Sequence, residues 1–233
     1  MFIGGWPFQM HKSISHRTAL IELHLGTVLL SAAALFPRVF AIPATQIVQM
    51  RCAIAAFILL GIALFLRHRF TLHSRRDALW LMVCSALIGL HWVTYYIGIQ
   101  TGGVALAVVC FYSYPVMTVL LEPLFGETRL RLSDLLAGLA VLTGVLIAAN
   151  PAAGSAVWLA AALCAFSALC YALRNTLYRR YLREYSPYSL MGWQFLLVAL
   201  ALMPSVAGGV TLAAGHWWLM LVFGVFFTAA PHW

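Results

Sequence analysis

Residues 104–127, VALAVVCFYSYPVMTVLLEPLFGE, contain the stretch that decides the fold class of this chain. A membrane-spanning helix needs about 20 predominantly apolar residues, and the run from Val104 to Phe125 reaches that length with one carboxylate, Glu122. The run is about twice as long as a membrane β-barrel strand and shows no alternation of polar and apolar side chains. The stretch therefore predicts a transmembrane helix.

Similar apolar runs, bounded by charged residues, proline or glycine, lie on both sides of this one. Over all 233 residues the chain is 64% hydrophobic and 9% charged, whereas soluble domains are roughly half apolar and about a quarter charged. The sequence therefore predicts an all-α polytopic membrane protein with about eight transmembrane helices. The predicted helices are 20–40, 45–66, 78–99, 104–125, 132–149, 155–178, 188–203 and 215–233.

The basic residues are distributed unevenly between the two sides of the predicted bundle. Of the 14 Lys and Arg, only Arg38 and Arg51 lie outside the N-terminal tail and alternate connections. Because positively charged loops stay in the cytoplasm, we predict a retained cytoplasmic tail at residues 1–19. We predict an integral, multi-pass protein of the cell membrane, which in bacteria is the inner membrane. The residues on the positive side are Lys12, Arg17, Arg67, Arg69, Arg75, Arg76, Arg129, Arg131, Arg174, Arg179, Arg180 and Arg183.

Short motifs surround the fourth predicted helix in a definite order. Within and after this helix come Ser113, Tyr114, Pro115, Gly126 and Glu127, and Asp134, Gly138 and Gly144 lie in the fifth. This order resembles the EamA domain of the drug/metabolite transporter superfamily, in which a proline-containing fourth helix ends in a Leu-Gly-Glu-like turn and a glycine-spaced helix follows. Phe125 stands here in place of the leucine. Arg51 also resembles an arginine common near the start of the family's second helix.

The resemblance implies ten helices in two inverted five-helix repeats and a secondary transporter that moves a small metabolite, amino acid or drug-like compound by alternating access. We expect a first repeat at residues 20–150 and an incomplete second repeat of three helices at 151–233. On this plan two helices are missing and the sequence is C-terminally truncated. The alternative is a non-transporting membrane protein, either inactive or dependent on a partner for the missing helices.

Several polar and aromatic side chains lie at one level of the predicted membrane. At 1.5 Å per residue, Arg51, His91 and Tyr112 are each roughly 10 Å from the outer surface, and Tyr95 lies one helical turn from His91. We predict that these four line the outer half of a substrate pathway. In the alternative interpretation, Arg51 extends to the lipid headgroups and His91 only bonds a neighbouring helix.

The inner half of the predicted pathway continues through Tyr171 and Gln194. Near its cytoplasmic mouth, Glu122 has two interpretations. It is either a proton-coupling site or the partner of Arg174 in a static ion pair. The motif residues are expected to shape the helices, since Pro115 removes a backbone hydrogen bond and can kink the fourth helix. These structural residues are Ser113, Pro115, Gly126, Glu127, Gly138 and Gly144.

Motifs for catalysis are missing from the sequence. It contains no phosphate-binding glycine loop, no metal-ligand set and no nucleophile elbow, so we predict no enzyme, catalytic residue, metal or cofactor. The five cysteines lie in apolar runs without a CxxC pair, which favours buried thiols. The predicted partners are the lipid bilayer, a small-molecule substrate, and protons or another coupling ion, with a homodimer as an open alternative and nucleic acid excluded.

Overall fold

The computed structural model describes residues 32–67, 72–125, 130–149, 154–210 and 212–230, together with Leu20, His24, Leu25 and Val28. These residues are mostly helical, and no strand occurs among them. The predicted all-α fold is confirmed. The predicted tail at 1–19 and the motif residues Gly126 and Glu127 lie outside the described residues.

Nine α-helices follow one another along the described chain. They are α1 (Phe36–Val39), α2 (Ala44–Phe65), α3 (Arg75–Gly102), α4 (Val104–Phe111), α5 (Tyr114–Leu121), α6 (Leu132–Ala149), α7 (Ser155–Tyr181), α8 (Pro187–Ala201) and α9 (Trp217–Gly224). A 3-10 turn, Glu122–Phe125, extends α5, and a π turn, Val225–Ala229, extends α9. Among these residues, α2, α3, α7 and the run Val104–Phe125 are long and apolar enough to cross a membrane. Shorter apolar helices complete the bundle.

The ends of α3 have local causes. Its first turn is capped by Ser74, whose Oγ accepts a hydrogen bond from the Asp77 amide at 3.1 Å. Its last turn stops at Gly103, where φ is +93°, a backbone conformation that residues with a Cβ rarely adopt. The helix therefore runs a few residues beyond both ends of the predicted segment 78–99.

The apolar run Val104–Phe125 is divided in its middle. Pro115 lacks an N–H, so the carbonyl of Phe111, four residues earlier, receives no helical hydrogen bond from it. α4 accordingly ends at Phe111 and α5 begins at Tyr114. The Ser113 hydroxyl donates to the Cys110 carbonyl at 2.6 Å and satisfies one of the carbonyls at the end of α4. The single predicted helix is therefore two helices, with the interruption just before Pro115.

Small residues let the principal helices approach closely. α3 packs most extensively on α7, and α2 on α8. A Cβ built on Gly98 would lie 2.2 Å from Cys164 Sγ, and one on Gly102 would lie 2.4 Å from Ala160 Cβ. Glycines four residues apart are a common means of close helix contact in membranes. We call this contact between α3 and α7 the glycine seam.

The interior of the bundle also contains the thiols. All five cysteines, Cys52, Cys84, Cys110, Cys164 and Cys170, are free and buried. This confirms the prediction that they pack as small apolar side chains.

The helix α6, which carries Gly138 and Gly144, lies at the edge of the bundle. Its leucines are exposed, as expected for a helix that faces lipid.

Candidate functional site

Five aromatic side chains from three parts of the fold meet beside the break between α4 and α5. The His91 ring centroid lies 5.0 Å from that of Phe111 and 4.8 Å from that of Tyr171. Tyr95 lies 5.1 Å from Phe111, and Tyr114 lies 5.1 Å from Phe111 and 5.0 Å from Tyr171. We call these residues the aromatic cluster. It joins α3, the helix break and α7.

His91 is held in the cluster by two hydrogen bonds to Ser167 of α7. The Ser167 hydroxyl donates to the His91 carbonyl at 2.9 Å, and His91 Nδ1 lies 2.7 Å from Ser167 Oγ. Because the single hydroxyl hydrogen is used at the carbonyl, Nδ1 is the donor in the second bond, and we place a proton on it. His91 therefore bonds a neighbouring helix, as the alternative interpretation expected. Its ring also packs in the aromatic cluster.

A cavity of about 390 Å³ lies between α5 and α7. Its wall includes Tyr114, which also belongs to the aromatic cluster, so the cavity and the cluster adjoin at this side chain. We call it the α5–α7 cavity. Its lining residues are Tyr114, Pro115, Thr118, Asn175, Tyr178 and Arg179.

An ion pair lies at the arginine-bearing end of this cavity. Glu122 Oε1 accepts a hydrogen bond from Arg179 Nη2 at 2.5 Å. Arg180 also donates to the Phe125 carbonyl, which ties the end of α5 to α7 a second time. The predicted ion pair of Glu122 with Arg174 is wrong. Arg174 and Arg179 are five residues apart, which places them about 140° apart around α7, so Arg174 points elsewhere.

Arg51 lies against the neighbouring face of α3, beside the aromatic cluster. Its guanidinium carbon lies 4.3 Å from the Trp92 ring centroid, 4.8 Å from that of Phe223 and 5.5 Å from that of Tyr96. Its Nε donates to Thr228 Oγ1 at 3.0 Å, and its Nη1 donates to the Tyr96 hydroxyl. The side chain is only 3% exposed, so the alternative in which Arg51 extends to the headgroups is wrong.

The predicted outer set is therefore only partly brought together. His91 and Tyr95 share the aromatic cluster with Tyr171, whereas Arg51 contacts the Trp92 and Tyr96 side of α3. Tyr112 lies at the edge of the cluster, with its ring 6.1 Å from Phe111, and is 48% exposed.

The remaining predicted pair, Arg174 and Gln194, joins α7 to α8. Gln194 Oε1 accepts from Arg174 Nη2 at 2.8 Å and from Nε at 3.2 Å. Arg174 also donates to Asn175 Oδ1 at 3.0 Å and lies 4.7 Å from the Tyr178 ring centroid. Both members of the Arg174–Gln194 pair are buried.

Sequence reasoning missed several residues of this site. The most informative are Ser167, Asn175 and Tyr178, because all lie on α7 near the predicted residue Tyr171. Ser167 and Asn175 lie four residues before and after Tyr171, on the same face of the helix. That helical spacing is the signal that could have found them.

A second contact between helix ends lies away from the cavity. The Tyr185 hydroxyl donates to Asp77 Oδ2 at 2.5 Å and accepts from the His73 amide at 2.9 Å. Burial, and to a smaller degree the bond to Asp77, raises the pKa of Tyr185 above its usual range. Nearby, the rings of Trp80 and Tyr181 stack at 4.1 Å. These contacts join the start of α3 to the connection between α7 and α8.

Comparison with known proteins gives consistent results. The model of a family described as the EamA-like transporter family matches residues 18–150. The uncharacterized transporter YxxF of Bacillus subtilis (strain 168) is 24% identical over 235 residues, which cover 94% of this chain and 74% of that protein. One solved crystal structure of a protein matches with a TM-score of 0.66 at 17% identity, covering 94% of this chain and 77% of the other. This last likeness shows a shared fold.

Proposed function

The chain belongs to the EamA-like transporter family, and from this premise we propose that it is a secondary carrier of a small metabolite, such as an amino acid or a drug-like compound. The chain is an integral, multi-pass membrane protein of the drug/metabolite transporter type. The proposed mechanism is alternating access, in which the bundle opens to one side of the membrane at a time.

The observation that carries the proposal is that the aromatic cluster adjoins the α5–α7 cavity. Tyr114 belongs to both, and the Glu122–Arg179 ion pair lies at the end of the cavity. We propose that the solute passes along His91, Tyr95 and Tyr171 and then through the cavity. The aromatic rings would pack on its apolar part, which is how most small-molecule sites hold their ligands.

The break between α4 and α5 is the proposed moving part of this pathway. It lies beside the aromatic cluster and at one wall of the cavity, and it interrupts the backbone hydrogen bonds of the membrane span. Broken helices are tolerated within membranes where they are buried in protein or line a cavity. A change of angle at Ser113 and Tyr114 would move α5 relative to α7 and change the width of the cavity.

The cavity end that carries Arg179 and Arg180 is the proposed cytoplasmic end. The positive-inside rule supports this orientation, because the other arginine-rich connections belong to the same side of the bundle. We propose the bacterial inner membrane as the location and a cytoplasmic N-terminus. Glu122 is the proposed coupling site, since a proton bound there removes the charge that holds Arg179 and so releases the end of the cavity.

The packing of the helices supports two inverted repeats, at residues 20–150 and 151–233. An inverted repeat would pair α2 with α8 and α3 with α9. If each helix is replaced by its partner, the contact between α3 and α8 corresponds to a contact between α9 and α2. Both contacts occur in the structure. The contact of α2 with α8 is converted into itself, as expected for helices on the axis that relates the repeats.

Counterflow in proteoliposomes that contain the purified chain tests the proposal. The vesicles are loaded with one unlabelled amino acid at a time and supplied with the same compound in labelled form. Tyr171→Ala and His91→Ala should each lower the flux strongly, whereas Phe166→Ala, on an exposed face of α7, should leave it unchanged. Flux at the parental rate in both cluster variants, or no flux of any compound, would refute the proposal.

A further inference from the structure

The Arg174–Gln194 pair contains more hydrogen-bond donors than its surroundings can satisfy. The guanidinium of Arg174 meets only neutral acceptors, namely Gln194 Oε1, Asn175 Oδ1 and the sulfur of Met191. In the described part of the chain no carboxylate forms an ion pair with it. Arg174 is only 6% exposed, so water does not compensate its charge.

Gln194 has a donor without an acceptor. Its Oε1 must face Arg174, because the guanidinium has only donors to offer. Its Nε2 is therefore turned away, and it is buried with no hydrogen-bond partner in the described residues. A buried amide group without a partner is a rare and unfavourable arrangement. Together the two side chains present one positive charge and one unused N–H₂ group.

Arg51 is the other buried arginine among the described residues, and it too has only neutral partners. Three aromatic rings surround its guanidinium, and Thr228 and Tyr96 accept its hydrogen bonds. No buried donor without a partner adjoins it in the described part of the chain. The Arg174 site differs from it in the unpartnered Nε2 of Gln194, so this is the buried arginine beside which a donor is left for a further group.

The α5–α7 cavity gives a route to Arg174. Two residues of the cavity wall, Asn175 and Tyr178, are themselves direct contacts of the guanidinium. Arg174 thus lies directly behind these two residues of the cavity wall. The wall also carries the rings of Tyr114 and Tyr178, which suit an apolar body of moderate size.

We propose that Arg174 and Gln194 bind the carboxylate of the transported solute, which enters from the α5–α7 cavity and takes the place of Asn175 on the guanidinium. This inference rests on the proposed function and adds the class of substrate, a small organic monocarboxylate with an apolar part. A single uncompensated positive charge matches a single negative charge. The planar guanidinium is suited to a carboxylate, and Gln194 Nε2 supplies an additional donor.

Thermal unfolding of the purified full-length chain provides the test. The probes are 3-phenylpropionate and its uncharged amide, 3-phenylpropionamide. A ligand that binds only the folded chain raises the unfolding temperature. We expect the carboxylate to raise it and to bind at least about tenfold more tightly than the amide, since a hydrogen-bonded charge contributes at least that much. Equal effects of the two probes, or none, would overturn the proposal.

Gln194→Glu supplies the decisive variant. It places a carboxylate beside Arg174, so the variant should be at least as stable as the parent without ligand and should lose the response to 3-phenylpropionate. Gln49→Glu, which introduces the same charge at another buried glutamine, is the matched control and should keep the response. A full response in Gln194→Glu would contradict the proposal even if Arg174 variants fail to fold.

The outcome separates this inference from the proposed function. Counterflow of uncharged solutes with no response to the carboxylate would refute the carboxylate site and leave the carrier function standing. A response to the carboxylate that Gln194→Glu abolishes, without counterflow of any compound, would support the site and refute the carrier function.

Discussion

Gly98→Ala tests whether the glycine seam fixes the distance between α3 and α7. The new Cβ would lie 2.2 Å from Cys164 Sγ and 3.3 Å from the Ala160 carbonyl oxygen. Carbon and sulfur atoms in contact are normally well over 3 Å apart, so Cys164 must rotate or the helices must separate. Overpacking of this kind costs about 1–3 kcal/mol, which corresponds to about a 5- to 150-fold fall in the folded-to-unfolded ratio.

Reversible unfolding in mixed detergent micelles, followed by tryptophan fluorescence, measures this loss. Gly144→Ala is the matched control, because in the described part of the chain no atom of another helix lies within 4 Å of its new Cβ. That variant should be neutral or more stable by up to about 1 kcal/mol, since alanine favours the helix.

A second substitution determines whether the sulfur atom is the cause. In Gly98→Ala/Cys164→Ala the sulfur is gone and the nearest remaining atom of residue 164 lies at 3.8 Å, an ordinary contact. The double variant should therefore recover most of the stability lost in Gly98→Ala. Equal stability of Gly98→Ala and Gly144→Ala, or a loss that persists in the double variant, would show that the seam does not set the helix distance.

Three further predictions concern the helix break and the helix ends. Pro115→Ala restores an N–H to the span and should stabilise the fold by up to about 3 kcal/mol while slowing counterflow; unchanged flux would contradict a moving role for the break. Glu122→Gln should abolish the pH dependence of flux but change stability by less than about 1 kcal/mol, because its partner Arg179 is 53% exposed; a retained pH profile would exclude coupling there. The raised pKa of Tyr185 adds stability that is fully present below about pH 10 and is lost as the pH rises through the folded-state value. Tyr185→Phe should therefore remove a tyrosinate step that lies above the usual pH range of tyrosine, and loss of a step within that range would contradict the raised pKa.

Most of the fold could be predicted from local patterns. Length and apolar character predict each helix from α2 onward to within several residues, because a span must satisfy its own backbone in lipid. Pro115 even indicated where the fourth span would break. The glycine seam could not be predicted, since Gly98 and Cys164 meet only through the relative placement of two distant helices.

The site was harder to predict because depth in the membrane says nothing about direction around a helix. Arg51 and His91 lie at similar depth, yet they contact different sets of residues on α3. An ion pair of Glu122 with Arg174 was one of two interpretations, because both lie near the same end of the bundle. Arg179, about 140° around α7 from Arg174, is the arginine that faces Glu122. Tyr171 was expected in the inner half of the pathway with Gln194, whereas its ring lies beside His91, and its neighbours Ser167 and Asn175 required attention to helical spacing.

The burial of every thiol has a practical consequence for the study of motion. A water-soluble maleimide has no exposed thiol on the resting molecule, so labelling of any cysteine reports opening of the helices around it. Cys110 lies near the end of α4, beside the helix break, and Cys164 faces Gly98 across the glycine seam. The Sγ of Cys84 lies 3.9 Å from the backbone carbonyl oxygen of Arg174. The unmodified chain therefore carries three reporters, one for the hinge, one for the seam and one for the buried arginine.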